Sequence, residues 1–142
     1  MSQARLTEML IKHEGSKSHA YMCTANKVTV GVGRNIDPEG GIGLTKDEIS
    51  FLLKNDIERV EDELSRRLPW ILELSDVRID ALIDICFNLG LPRFLKFAKA
   101  LAALEQREYD LAADEFMDSR WAKQVGQRAV TVSNMIRTGE YQ

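Results

Sequence analysis

One stretch of this chain breaks an otherwise helical pattern, and it limits the fold more than any other feature. Val28, Val30 and Val32 alternate with Thr29, Gly31 and Gly33. A period of two puts the valines on one face of a strand. The turn residues "CTANK" (23–27) separate it from a short strand at 20–22, which makes a hairpin. Elsewhere the spacing is helical. Leu6, Met9 and Leu10 mark a helix over 3–13, stopped by Gly15. "NIDPEGGIGL" (35–44) is loop chemistry, and the chain is helical after it. The fold class is therefore α+β, mainly α, with a small hairpin lobe and a larger helical lobe.

Thr45 and Glu48 form a capping box. The helix it opens, about 46–66, carries Ile49, Leu53, Ile57, Val60 and Leu64 on one stripe. At 1.5 Å per residue it is about 30 Å long, enough to join a hairpin lobe (about 13–45) to a helical lobe (about 65–142). The N-terminal helix can pack on either lobe. Ser75 caps the next helix, which is apolar on most sides and suits the centre of a bundle; Gly90 and Pro92 end it. Further helices are expected at 93–105, 107–117, 119–124 and 127–137, the last ended by Gly139.

A chain of 142 residues, 44% hydrophobic and 29% charged, fits one globular domain. No apolar run approaches the roughly 20 residues of a membrane span, so no stable membrane insertion is expected. The N-terminus mixes acidic and polar residues into its apolar part, unlike a secretory leader. Synthesis in a cytoplasm, with separate delivery to any outside target, is the expectation. The net charge of −3 argues against a nucleic-acid partner. Residues 35–65 are acidic and 118–142 basic, read as solvated helix faces. Cys23 and Cys86 lie far apart, and neither His13 nor His19 sits in a metal-type motif. Free thiols, no metal and no cofactor are expected.

Three residues raise chemical questions. Glu14 ends the first helix, where the dipole disfavours negative charge. That position is poor for stability and favours the protonated form a general acid needs. Thr29 is expected on the open side of its strand, beside the bare backbone of Gly31 and Gly33, where a hydroxyl can hold a water or a sugar. Cys23, taken alone, reads as a small apolar side chain at the hairpin turn.

Glu14, eight residues, Cys23, five residues, Thr29, then "VGVG", resembles the active-site segment of the phage-type lysozymes, the muramidase endolysins of tailed phages. Tyr21 stands two before Cys23, as a Tyr does in that family. "DALIDICFNLG" resembles the family's central helix, and "SRWAKQVGQRAVTVSNMIRTGEY" its C-terminal block. The resemblance covers nearly the whole chain in order. It implies a lysozyme-like fold and a monomer that acts on peptidoglycan glycan strands after release to the cell wall. Glu14 would protonate the glycosidic oxygen between N-acetylmuramic acid and N-acetylglucosamine. Thr29 would help hold the attacking water. Arg128 matches the family arginine that pairs with the catalytic Glu. Tyr21, Gly31, Arg34 and Asn88 would support the cleft. Trp121 and Trp70 are expected in the core rather than as sugar platforms.

Cys23 departs from the pattern, because the typical member has Asp there. An inverting glycosidase needs a base about 6.5–9.5 Å from the acid, and a thiol serves only if ionised. The resemblance allows Cys at this position as a family variation. Three roles stand open: a thiol bonded to the water, a thiolate made accessible by a cation such as Lys27 or Arg34, or a nucleophile. Asp37 is a further source of a carboxylate. Hydrolysis leads; lytic transglycosylation and a catalytically inactive cell-wall-binding module are the alternatives.

Overall fold

The computed structural model describes residues 3–142. The chain divides into two compact units, Met1–Phe51 and Leu52–Gln142.

The first unit opens with helix α1 (Gln3–Glu14). Gly15, at φ +78°, donates its N–H to Ile11 O at 2.8 Å and ends the helix. Lys12 and His13 complement the dipole in the last turn, while Glu14 opposes it. No residue of α1 is buried. Three antiparallel strands follow in the order β1 (Lys17–Met22), β2 (Val28–Gly31), β3 (Arg34–Asn35). Tyr21 faces Thr29, and Thr29 faces Asn35. A bulge interrupts β1 between Lys17 and Tyr21.

Two expectations are corrected here. The strand expected to run through Gly33 ends at Gly31. Gly31 and Gly33 both take left-handed φ, +65° and +67°, so the chain reverses through Val32 into β3. Val32 is 40% exposed at the tip. The faces are also reversed. Thr29 is 3% exposed, whereas Val28 and Val30 are only half-buried. The Thr29 hydroxyl donates to Lys27 O at 2.8 Å, so its burial leaves no unpaired donor.

Thr29 is the one buried residue of this unit among the described residues. Polar bonds therefore carry its shape. The Asp37 carboxylate accepts the N–H of Val28 and of Glu39, both at 2.9 Å. Asn35 Oδ1 accepts the Asp37 N–H at 3.0 Å. Gly41 fits beside this loop because a Cβ there would lie 2.5 Å from the Asp37 backbone. Arg34 Nη1 donates to Gly43 O at 3.0 Å and to Glu48 Oε1 at 2.8 Å. The same Glu48 oxygen accepts the Thr45 N–H at 2.8 Å, and Thr45 Oγ1 accepts the Glu48 N–H at 3.1 Å. The capping box is thus formed as expected, with Arg34 added to it.

Helix α2 (Lys46–Arg67) contains the division between the units. Its stripe is buried only at Val60 and Leu64; Ile49, Leu53 and Ile57 are exposed. A 3-10 helix at Pro69–Glu73 was not foreseen in the sequence; Pro69, lacking an N–H, opens it. Helix α3 (Asp76–Leu89) follows, with the Ser75 side chain accepting the Arg78 N–H, and buries Ala81, Leu82, Ile83, Ile85 and Cys86. The single helix expected at 93–105 is two, α4 (Leu91–Phe94) and α5 (Ala98–Glu105). Between them Lys96 and Phe97 donate to residues three back. That tighter winding turns Phe97 toward Phe116 and Trp121, with ring centroids at 4.9 and 6.2 Å. The chain then forms α6 (Tyr109–Met117), α7 (Arg120–Val125) and α8 (Gln127–Thr138).

All buried apolar residues lie in this second unit among the described residues. Trp121 is 4% exposed and Trp70 packs against the core, so both are core residues. Arg78 closes the far end of α8. Its guanidinium donates to Ile136 O and Arg137 O and lies 3.5 Å from the Tyr109 ring centroid.

Two outcomes follow from this packing. Phe116→Ala should cost about 3–5 kcal/mol in denaturant unfolding, because its ring is fully enclosed. The second concerns acid. The Arg34 guanidinium, followed by the Thr45 N–H, holds the Glu48 carboxyl at about 2, below the ordinary 4.5. A depressed folded value stabilises above pH 4.5 and loses that stabilisation as pH falls through about 2. Amide exchange around Thr45 should therefore quicken over that window in the parent, and Glu48→Gln should abolish this pH dependence.

Candidate active site

Glu14, Tyr21, Cys23, Thr29, Gly31 and Arg34 all lie in the first unit. Glu14 is exposed at the last position of α1. A Cβ built on Gly33 would lie 2.8 Å from its Oε2, so the carboxyl group rests directly on that glycine. Helix end and β2–β3 turn thus meet at Glu14. Gly31 has nothing within 4 Å of its missing Cβ, whereas Gly33, expected to leave its backbone equally bare, is covered by Glu14.

Cys23 is half-exposed, not packed away. Its N–H donates to Lys27 O at 3.0 Å and its carbonyl accepts the Asn26 N–H at 2.9 Å, with Asn26 in left-handed φ. The thiol is held below its ordinary value chiefly by the Lys27 backbone N–H, against desolvation, with help from the Ala25 N–H and the Thr29 hydroxyl. An aspartate commonly collects amides in the same way, accepting from the backbone two residues on. The cations proposed for this task are engaged elsewhere. Arg34 binds Gly43 and Glu48, and Lys27 Nζ donates to Glu39 O at 3.0 Å. The cause is therefore corrected from side-chain cations to backbone amides.

Thr29 Oγ1 has one proton, which it gives to Lys27 O here. Rotated, the same proton faces Sγ and favours the thiolate. Asp37 is not a spare base. Its carboxylate is held below the usual range first by the Val28 N–H, then by the Glu39 N–H. Both of its oxygens are committed to shaping the loop.

Arg128 and Asn88 lie in the second unit. Arg128 Nε donates to Asp84 Oδ1 at 2.8 Å and Nη2 to Asp84 O at 3.3 Å. Asp84 and Arg128 line a hollow of about 380 Å³ with Leu53, Ile57 and Phe87. Asn88 Oδ1 accepts the Trp121 Nε1–H at 2.9 Å, which ties α3 to α7. Asp84 was missed from the sequence. The available signal was its place one turn before Asn88, on the same face of α3. Among the described residues, no group of three or more His, Cys, Asp or Glu is arranged to hold a metal ion. No helix among them is long and apolar enough to cross a membrane.

The fold is α+β, mainly helical with a small antiparallel sheet, and is lysozyme-like. Comparison with known proteins gives the family. The phage lysozyme family model matches residues 11–137. The endolysin of Salmonella phage P22 is 33% identical over 115 residues, covering 76% of this chain and 75% of that one. The endolysin of Acyrthosiphon pisum secondary endosymbiont phage 1 is 28% identical, covering 81% and 75%. Probable T4-type lysozyme 2 of Dictyostelium discoideum is 25% identical, covering 94% of each. The chain belongs to the phage lysozyme family and is a muramidase-type cell-wall hydrolase.

The two cysteines should separate chemically. Burial, with Glu63 second, pushes the Cys86 thiol up to about 11, whereas Cys23 is lowered. Iodoacetamide near neutral pH should label Cys23 well before Cys86, read by peptide mass spectrometry. Equal rates would contradict the amide arrangement at Cys23.

Proposed function

We propose that this chain is an endolysin that hydrolyses the β-1,4 bond between N-acetylmuramic acid and N-acetylglucosamine, with Glu14 as general acid. The observation that supports it is the place of Glu14: an exposed carboxyl group lying against Gly33, in the same unit as Cys23 and Thr29. Glu14 protonates the glycosidic oxygen as the bond to the anomeric carbon breaks. A water on the opposite face of the sugar attacks that carbon. Cys23 takes the water's proton as a thiolate, and Thr29 offers that water a hydroxyl lone pair. Each proton has a destination, and the product is a free reducing end.

The Cys23 thiol is shifted toward ionisation, chiefly by the Lys27 amide, which supports that role. The reading places synthesis in a bacterial cytoplasm and action on the wall after release.

Clearing of a turbid cell-wall suspension tests both roles. Glu14→Gln should lose about a hundredfold or more, the usual scale for a general acid. Parental activity in that variant would remove Glu14 from the mechanism. Cys23→Ser should lose most activity across the pH range. Cys23→Asp should keep activity and extend it to lower pH, since a carboxylate ionises before a thiol. A serine variant as active as the parent would rule out the thiolate.

A further inference from the structure

Gly33 lies in the turn between β2 and β3, and its surroundings differ from those of its neighbours. A Cβ there would stand 2.8 Å from Glu14 Oε2, 3.0 Å from Cδ and 3.2 Å from Cγ. Three successive atoms of one side chain fill the space a methyl group would need. Gly31, Gly40 and Gly43 also have left-handed φ, but nothing lies within 4 Å of their missing Cβ atoms. For those three, backbone conformation alone accounts for glycine. Gly33 answers a second demand.

Within its own unit the Glu14 carboxylate has no hydrogen-bond or ion-pair partner among the described residues. Its place is set by the end of α1 and by contact with Gly33. We propose that Gly33 is a positioning residue for the reaction: its absent side chain is the seat that fixes the Glu14 carboxyl group. This deepens the functional reading above and rests on Glu14 being the acid. The chemistry explains why a seat matters. Proton delivery requires the acid within hydrogen-bond reach of the glycosidic oxygen, about 2.6–3.2 Å. A methyl on Gly33 pushes the carboxyl off that line, and a misplacement of about 1 Å costs on the order of a hundredfold.

The test compares Gly33→Ala with Gly43→Ala. Residue 43 has φ +66° against +67° at residue 33, so both alanines meet the same backbone strain. Only the one at 33 meets Glu14. On purified cell wall, Gly33→Ala should lower kcat about tenfold or more beyond Gly43→Ala, with little change in KM. Equal losses in the two variants overturn the proposal. Melting temperatures supply a readout independent of activity. The Glu14 carboxyl is the exposed end of a flexible side chain and can move aside, so Gly33→Ala should lower Tm no more than Gly43→Ala while lowering kcat further. A kcat loss at 33 matched by an extra Tm loss there overturns the proposal. A fully active Glu14→Gln would instead overturn the acid assignment while leaving the contact at Gly33 intact.

Discussion

The Asp37 carboxylate, accepting the Val28 and Glu39 amides, is the contact on which the first unit depends. That unit has no buried apolar side chain of its own among the described residues. Hydrophobic burial, the dominant stabiliser of most domains, acts in the second unit. The sheet that carries Cys23 and Thr29 keeps its shape through directional bonds. Asp37 fixes the start of β2, Asn35 fixes the loop after β3, and Arg34 joins that strand to the cap of α2. Such bonds define angles as well as distances, which suits a site built from turns.

The same reliance on backbone groups holds at the Cys23 thiol. A side-chain cation would have to be held near Sγ and kept free of other partners. Here the thiol is lowered chiefly by the Lys27 amide, with the Ala25 amide and the Thr29 hydroxyl of the next strand adding to it. Cys86 shows the opposite environment in the same chain, where burial raises the thiol. The two thiols are thus shifted in opposite directions, one by backbone amides and one by burial.

Much of the fold was legible. The change of period at 19–34, the Thr45–Glu48 cap, the Ser75 cap and the Gly90 stop are local signals, and local signals suffice for elements. What failed depended on tertiary context. Val32 continues the alternation of Val28 and Val30, yet two left-handed glycines put it in a turn. The break at 95–97 follows from packing Phe97 against Phe116 and Trp121, far along the chain. Thr29 looked like a surface residue because its bond to Lys27 O, which permits burial, is not visible in a pattern of polarity. The site divides the same way. Glu14, Cys23 and Thr29 were singled out as candidates from the sequence, while the contact of Glu14 with Gly33 and the pairing of Arg128 with Asp84 needed three dimensions.

The central claim is that Glu14 gives a proton to the glycan while a water, activated by Cys23, attacks the opposite face. The anomeric configuration of freshly released ends, followed by proton NMR on purified peptidoglycan, tests it directly. Water attack predicts that the first reducing ends appear inverted, as α-anomers, and only later equilibrate. Initial β-anomers, which mean direct attack by Cys23, or anhydro ends, which mean that no water entered, would contradict the account.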